Sequence, residues 1–337
     1  METKLLSNST ADLQEAAHLL KEGNVVGIPT ETVYGLAADA RNPEAVRQIF
    51  AAKGRPADNP LIVHIAKLEE LESVAVSVPE LALKLAEKFW PGPLTMILPK
   101  HPSIPTITSG GLDTVGVRMP SHLVARKLIE LSGVPIAAPS ANISGYPSPT
   151  TAQHVMRDMH GKIAAVVDGG DCCVGVESTV IALEGEDSVR ILRPGYVTKE
   201  MLETVVPHVT LDKAILHQLQ EGQIVRSPGM KYQHYSPHAH VTLIEGRWPE
   251  FAAWVQQHAE AGTYALVFDG EGADLSVPYL TYGTGDAEQA HQVFAKLREL
   301  DDIGAKRVFV RAPNPNGIGL AVYNRLIRAA GFEVIQV

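Results

Sequence analysis

The apolar positions of this chain alternate between a helical and an extended period. Leu13, Ala16, Ala17 and Leu20 recur at three- and four-residue spacing, which predicts a helix capped by Thr10 and ended by Gly23. The apolar run 24–28 predicts a strand. The pattern then continues with a helix over 43–52, where Pro43 suits the first turn, and a strand over 61–65. A helix over 81–89 is stopped by Pro91, Gly92 and Pro93. Strands follow over 94–98, 114–117 and 135–138, with a helix over 123–131 between the last two. Further strands are predicted over 164–167, 179–183 and 189–192. Such alternation argues an α/β fold, an open sheet with helices packed on it.

The pattern breaks at 222–240, where prolines and a glycine interrupt a stretch without apolar periodicity. A plain linker explains the prolines. Lys231, Tyr232 and Tyr235 within five residues are more than an inert linker needs, and a segment that folds over a site is the sharper reading. Beyond it, strands over 241–244, 264–268, 307–310 and 334–337 alternate with helices over 249–258, 287–300 and 318–329. The expected organisation is a large region at 1–205, a linker or lid at 206–240 and a small Rossmann-like domain at 241–337.

Length supports this division, since 337 residues are about twice a typical domain of roughly 150. Composition narrows the class: 45% hydrophobic and 20% charged residues are ordinary for a globular chain and exclude a disordered one. The net charge of -9 argues against bulk binding to a phosphate backbone, although it leaves a local cationic cleft open. No apolar run approaches the ~18 residues of a membrane span, and the first ten residues carry no signal-peptide pattern. Cys172 and Cys173 are adjacent, which is neither a disulfide framework nor a zinc motif. A cytoplasmic protein without a structural metal is expected.

Several motifs fail. There is no P-loop, no Gly-x-Ser-x-Gly elbow and no His-Glu-x-x-His. Gly317-Ile318-Gly319 opens a helix but lacks the third glycine of a dinucleotide fingerprint, Val322 standing there. A tight turn or close packing explains those glycines more simply.

Polar residues instead collect at predicted strand ends, where open α/β sheets bind ligands. Thr30-Glu31-Thr32 follows the first strand. Lys53-Gly54-Arg55-Pro56 can present two cations to an anion or stand as a solvated loop. His64 lies inside an apolar strand, where a histidine is more often core than ligand. Arg118 ends a strand and needs a partner, either a ligand carboxylate or a protein one. Pro139-Ser140-Ala141-Asn142 is small and hydroxyl-bearing, suited to close backbone approach to phosphate. Glu177-Ser178-Thr179 and Arg193-Pro194-Gly195 sit at further strand ends. Taken together, these cations beside hydroxyl-rich turns suit a nucleoside triphosphate held without a P-loop. No local pairing suggests covalent catalysis.

These segments, with Asn59-Pro60-Leu61, Trp90-Pro91-Gly92-Pro93-Leu94-Thr95 and Val117-Arg118-Met119-Pro120, resemble in order and spacing those of the YrdC-like proteins. The stretch 229–237 and the helix from Gly317 resemble the linker and last helix of the family's long form, with Ser236 where alanine is common. The resemblance implies a twisted open sheet with helices, followed by a smaller Rossmann-like C-terminal domain. It implies an L-threonylcarbamoyladenylate synthase, a nucleotidyltransferase that condenses L-threonine, bicarbonate and ATP into threonylcarbamoyl-AMP and pyrophosphate. The product then serves a separate transferase that modifies tRNA. Carried over by position, Thr32, His64, Arg118, Ala138 and Ser178 would hold threonine, with Arg118 on its carboxylate. Arg55, Asn59, Thr114, Ser140, Asn142, Ser148, Arg193 and Tyr232 would hold ATP. Lys53, Arg55 and Arg118 would carry the catalytic charge. Mg²⁺ would come with the ATP phosphates, with no protein ligand assigned. The same fold occurs in double-stranded RNA binding, but the acidic balance predicts weak or no direct tRNA binding and no membrane partner. A carbamoyl-phosphate-using relative would need zinc fingers that two cysteines cannot supply.

Overall fold

The computed structural model describes residues 2–217 and 234–337. In the first region the order is β1 (Lys4–Leu6), α1 (Thr10–Lys21), β2 (Val26–Ile28), β3 (Gly35–Asp39), α2 (Pro43–Lys53), β4 (Ile62–His64), α3 (Glu80–Phe89), β5 (Leu94–Pro99) and β6 (Thr114–Arg118). It continues with α4 (Leu123–Ser132), β7 (Ile136–Ala137), α5 (Ala152–Met159), β8 (Ala165–Val167), β9 (Thr179–Leu183), β10 (Ser188–Arg193), α6 (Lys199–Glu203) and β11 (His208–Leu211). The second region holds β12 (His240–Glu245), α7 (Trp248–His258), β13 (Thr263–Val267), β14 (Tyr279–Thr281), α8 (Asp286–Asp302), β15 (Arg307–Arg311), α9 (Gly319–Ala329) and β16 (Val334–Gln336).

Local signals set most of these bounds. The Asn42 side chain accepts from the Glu44 and Ala45 amides, Pro43 fills the first turn of α2, and Gly54 ends it at φ 62°. Lys53 is thereby held in the last turn. The α1 cap is Ser9, whose hydroxyl accepts from Asp12 N, and not Thr10, which is already helical. A β-region backbone one residue earlier makes the difference.

Among the described residues, the first region forms an eleven-stranded sheet ordered β1-β8-β2-β3-β7-β4-β6-β5-β9-β10-β11. It is mixed: β2–β3, β5–β6 and β9–β10 are antiparallel, while β4–β6 and β5–β9 are parallel. The parallel β4–β6 register sets His64 opposite Arg118. Trp90 is buried and donates its indole N–H to Leu94 O at 2.7 Å, pinning the Pro91–Pro93 turn before β5.

The second sheet is wholly parallel, ordered β14-β13-β15-β12-β16. Its strands are covered on both faces, as a parallel sheet requires. Phe251 and Val255 of α7 pack with Phe309 on one side. Val293, Phe294 and Leu297 of α8 and Leu326 of α9 pack with Val308 and Val310 on the other, so β15 alternates faces with period two. This second cluster also takes in Val33, Val174 and Val176 of the first region, so α8 and α9 are sandwiched between the two. Gly319 is explained by packing: a Cβ there would lie 2.2 Å from Asn314 O.

Candidate active site

Backbone hydrogen bonds bring four strand-end loops together. Tyr34 N donates to Pro149 O at 2.9 Å, Leu36 N to Pro139 O at 2.8 Å and Ala141 N to Tyr34 O at 2.8 Å. Val174 N and Gly175 N donate to Glu31 O and Thr32 O at 2.8 and 3.1 Å. At the floor, Gly195 passes so close to the Glu177–Thr179 backbone that a Cβ would lie 2.3 Å from Thr179 N. Only glycine fits there, and Gly195→Ala should push Arg193 off Ser178.

The cleft between these loops is lined by Thr30, Thr32, Lys53, Arg55, His64, Arg118, Ala138, Ser140, Asn142, Ser178 and Arg193, together with Glu177, His234 and Tyr235. It therefore gathers most of the residues singled out by sequence. Asn59, Thr114 and Ser148 are not in its wall. Thr114 opens β6 and Arg118 ends it, which separates them by about 13 Å at a strand's rise. Asn59 is buried with neither amide atom hydrogen-bonded. Ser148 donates to Glu177 Oε1. Tyr232 lies outside the described residues, as does the stretch 218–233 of the proposed linker or lid.

Each buried charge has an identifiable arrangement. Arg118 donates from Nη2 to Glu31 Oε1 at 2.5 Å, from Nη1 to Thr32 Oγ1 at 2.9 Å and from Nε to Gly92 O at 3.3 Å. Of the two partners open to it from sequence, the protein carboxylate is present. Three bonds leave two of its five N–H donors for a ligand. Burial raises the Glu31 carboxyl, but Arg118 outweighs this and holds it below the usual range. Thr32 Oγ1 also lies 2.8 Å from Thr30 Oγ1.

Lys53 is buried, and its ammonium donates to Ser140 O and to Asn142 O, the latter at 2.7 Å. Burial, and then Arg55, push its pKa well down. Its bonds staple the end of α2 to the Ser140–Asn142 turn. Arg55 donates from Nη2 to Pro60 O at 3.1 Å. Arg193 donates from Nε to Ser178 O at 3.1 Å and from Nη2 to Ser178 Oγ at 3.2 Å. Ser178 Oγ is also 2.8 Å from Thr95 Oγ1. Burial lowers the Arg193 pKa to about 10, still charged near neutrality.

His64 and His234 are each held down to about 3, first by burial and next by Arg118 and Arg55 respectively. Both are neutral at pH 7, so His64 meets a ligand as an imidazole. The sign for stability follows. Between pH 6.5 and 3 the unfolded chain binds protons that the folded chain refuses, so stability falls as pH drops through this window. Each histidine contributes a slope of about 1.4 kcal/mol per pH unit. The urea midpoint should therefore be lower at pH 5.5 than at 7.5, with the difference reduced in His64→Gln. Equal midpoints would show that these rings are not buried neutral.

Sequence reasoning left Glu31, Glu177, Thr30 and Thr95 without a role. For Thr30, Glu31 and Glu177 the signal was a place in a strand-end turn with an assigned residue; Thr95 lies within β5 and had only its place in the motif at 90–95. Arg325, which reaches Glu177 from α9, carried no such signal.

The fold and the cleft define a two-domain α/β protein that gathers guanidinium groups, a lysine and hydroxyls at strand ends, without a glycine-rich phosphate loop. Residues 18–195 match the Sua5/YciO/YrdC family model, described as telomere recombination, and residues 197–331 match the threonylcarbamoyl-AMP synthase C-terminal domain. The chain belongs to the Sua5/YciO/YrdC family, in its two-domain form. It is 46% identical to the threonylcarbamoyl-AMP synthase of Pyrococcus abyssi, over 96% of this chain and 95% of that one. It is 44% identical to the Bacillus subtilis enzyme of the same name, over 99% and 97%. The crystal structure of P. abyssi Sua5 complexed with L-threonine superposes over all of both chains with a TM-score of 0.93 at 43% identity.

Proposed function

We infer that this chain is a threonylcarbamoyl-AMP synthase and that its strand-end cleft is the active site. The observation that supports it most is Arg118, buried, paired with Glu31 and Thr32, and lining the cleft with donors to spare. A small α-amino acid carboxylate suits that place, and the full-length likeness to a threonine-bound relative favours threonine. Arg118 takes the carboxylate, Thr32, neutral His64 and Ser178 offer hydrogen bonds to the rest, and Ala138 supplies backbone. The threonine amine displaces water from bicarbonate, or adds to CO2 and loses a proton, to give a carbamate.

ATP lies toward Lys53, Arg55, Ser140, Asn142 and Arg193. The carbamate oxygen attacks the α-phosphorus and pyrophosphate leaves, so no protein nucleophile is required. Charge grows on the leaving group, where Arg55 and Arg193 stabilise it. Mg²⁺ would travel on the ATP phosphates; Glu31 and Glu177 are already paired with arginines. Positioning the reactants contributes most of the acceleration, up to roughly 7–11 kcal/mol. Asn59, Thr114 and Ser148 keep the ATP role that the family resemblance implies, from outside the cleft wall. Among the described residues no helix is long and apolar enough to cross a membrane.

Pyrophosphate release measured with threonine and with bicarbonate each withheld tests the reading. Release should need both. Release with neither would make the protein an ATP pyrophosphohydrolase instead.

A further inference from the structure

Behind the cleft floor stands a side chain from the other domain. Arg325 of α9 is 0% exposed. Its Nε donates to Glu177 Oε2 at 2.8 Å, its Nη1 to Pro194 O at 2.7 Å and its Nη2 to Glu177 O at 3.3 Å. One guanidinium thus ties together the two backbone segments that carry Ser178 and Arg193. Glu177 in turn accepts from Ser148, and Arg193 is held on Ser178.

We propose that Arg325 is a positioning residue of the first domain's active site, through which the second domain sets Ser178 and Arg193 for their ligands. The proposal rests on the threonine assignment of the cleft. A fixed, planar, always-charged fork is what the place requires, because three acceptors in different directions are satisfied by one group. The second domain could dock through its apolar face alone, since Phe294 and Leu326 already pack there. Burying an arginine adds desolvation cost, which a docking role does not need.

The charges around Glu177 agree with this. Arg325 pairs with it, and Arg193, Tyr235, Lys53 and His234 are nearby, the Tyr235 ring 5.7 Å from the Arg325 guanidinium. Burial raises the Glu177 carboxyl, and Arg325 and then Arg193 bring it below the usual range. Without Arg325 the carboxyl loses its ion pair and keeps the Ser148 hydroxyl, and Arg193, a nearby charge, would swing from Ser178 toward it.

The test is steady-state kinetics of the full chain carrying Arg325→Met or Arg325→Lys, with threonine binding read separately by calorimetry. Arg325→Met should raise the threonine KM and Kd at least tenfold and, because Arg193 also faces the leaving group, lower kcat as well. Arg325→Lys, which keeps the charge but cannot reach both carbonyls, should fall between. A docking residue would instead lower the apparent kcat with the folded fraction and leave KM and Kd unchanged, which would overturn the proposal. If Arg325→Met does not fold, Glu177→Gln/Arg325→Met removes both buried charges, and an unaltered threonine Kd in it would overturn the proposal equally. A wild-type chain that binds threonine but releases no pyrophosphate would refute the synthase reading and leave the Kd comparison intact.

Discussion

Replacing Arg118 with alanine lowers threonine-dependent pyrophosphate release by about a hundred- to a thousandfold, the loss expected for a preorganised charged donor at a reacting ligand. The effect should fall mainly on threonine, with the KM for ATP little changed. Removing the guanidinium also strands Glu31, buried and paired at 2.5 Å, and breaking such a pair costs about 3–5 kcal/mol. The two effects can be separated. In Glu31→Gln/Arg118→Ala no charge is left unpaired, so stability should return while activity does not. Activity within tenfold of wild type in the double variant would remove Arg118 from the substrate site and leave it a structural partner of Glu31.

Arg298→Ala uncouples the two domains. Arg298 on α8 donates to both carboxylate oxygens of Asp158 at 3.0 and 2.6 Å and to Pro147 O at 2.7 Å, with both side chains buried. Its loss leaves Asp158 uncompensated at the domain boundary, again costing about 3–5 kcal/mol. The tryptophans separate the readout, since Trp90 lies in the first domain and Trp248 and Trp254 in the second. Urea unfolding should shift to lower denaturant and divide into two transitions. Arg157→Ala is the control. Arg157 meets Asp302 across the same boundary but with both side chains about half exposed, so its loss should cost no more than ~1 kcal/mol. Equal shifts for the two variants would mean that burial does not govern this boundary.

The pairs behind both predictions, and behind the Arg325 proposal, join residues far apart in sequence: 31 with 118, 158 with 298, 177 with 325. Asp158, Arg298 and Arg325 carry no local signal, whereas Glu31, Arg118 and Glu177 stand in polar strand-end segments. Arg118 was seen to need a partner, and two kinds remained open. Arg298 and Arg325 sit in helices that otherwise read as apolar faces against a sheet, with no local sign that the sheet's neighbour is another domain.

Local physics was legible wherever a decision is made within a few residues. Asn42, Pro43 and Gly54 bound α2 because caps and backbone preferences act over one turn. The β15 alternation is visible because its two faces meet two different helix layers. Elements chosen by their neighbours were not legible. β1 and β14 have three residues each and exist because β8 and β13 offer edges to pair with. β3 lies in a stretch for which the periodicity predicts no element, and pairing with β2 and β7 makes it a strand.

By itself, then, the sequence determined the alternating α/β architecture, the order of the strand-end segments and the family they resemble, since these rest on periodicity, turn chemistry and short motifs. Tertiary structure alone decided which carboxylate neutralises which arginine, that Thr114 stands at the far end of its strand from Arg118, and that the second domain reaches the floor of the cleft. The reason is desolvation: a buried charge is stable only beside its counter-charge, and which groups become buried together is set by the whole fold.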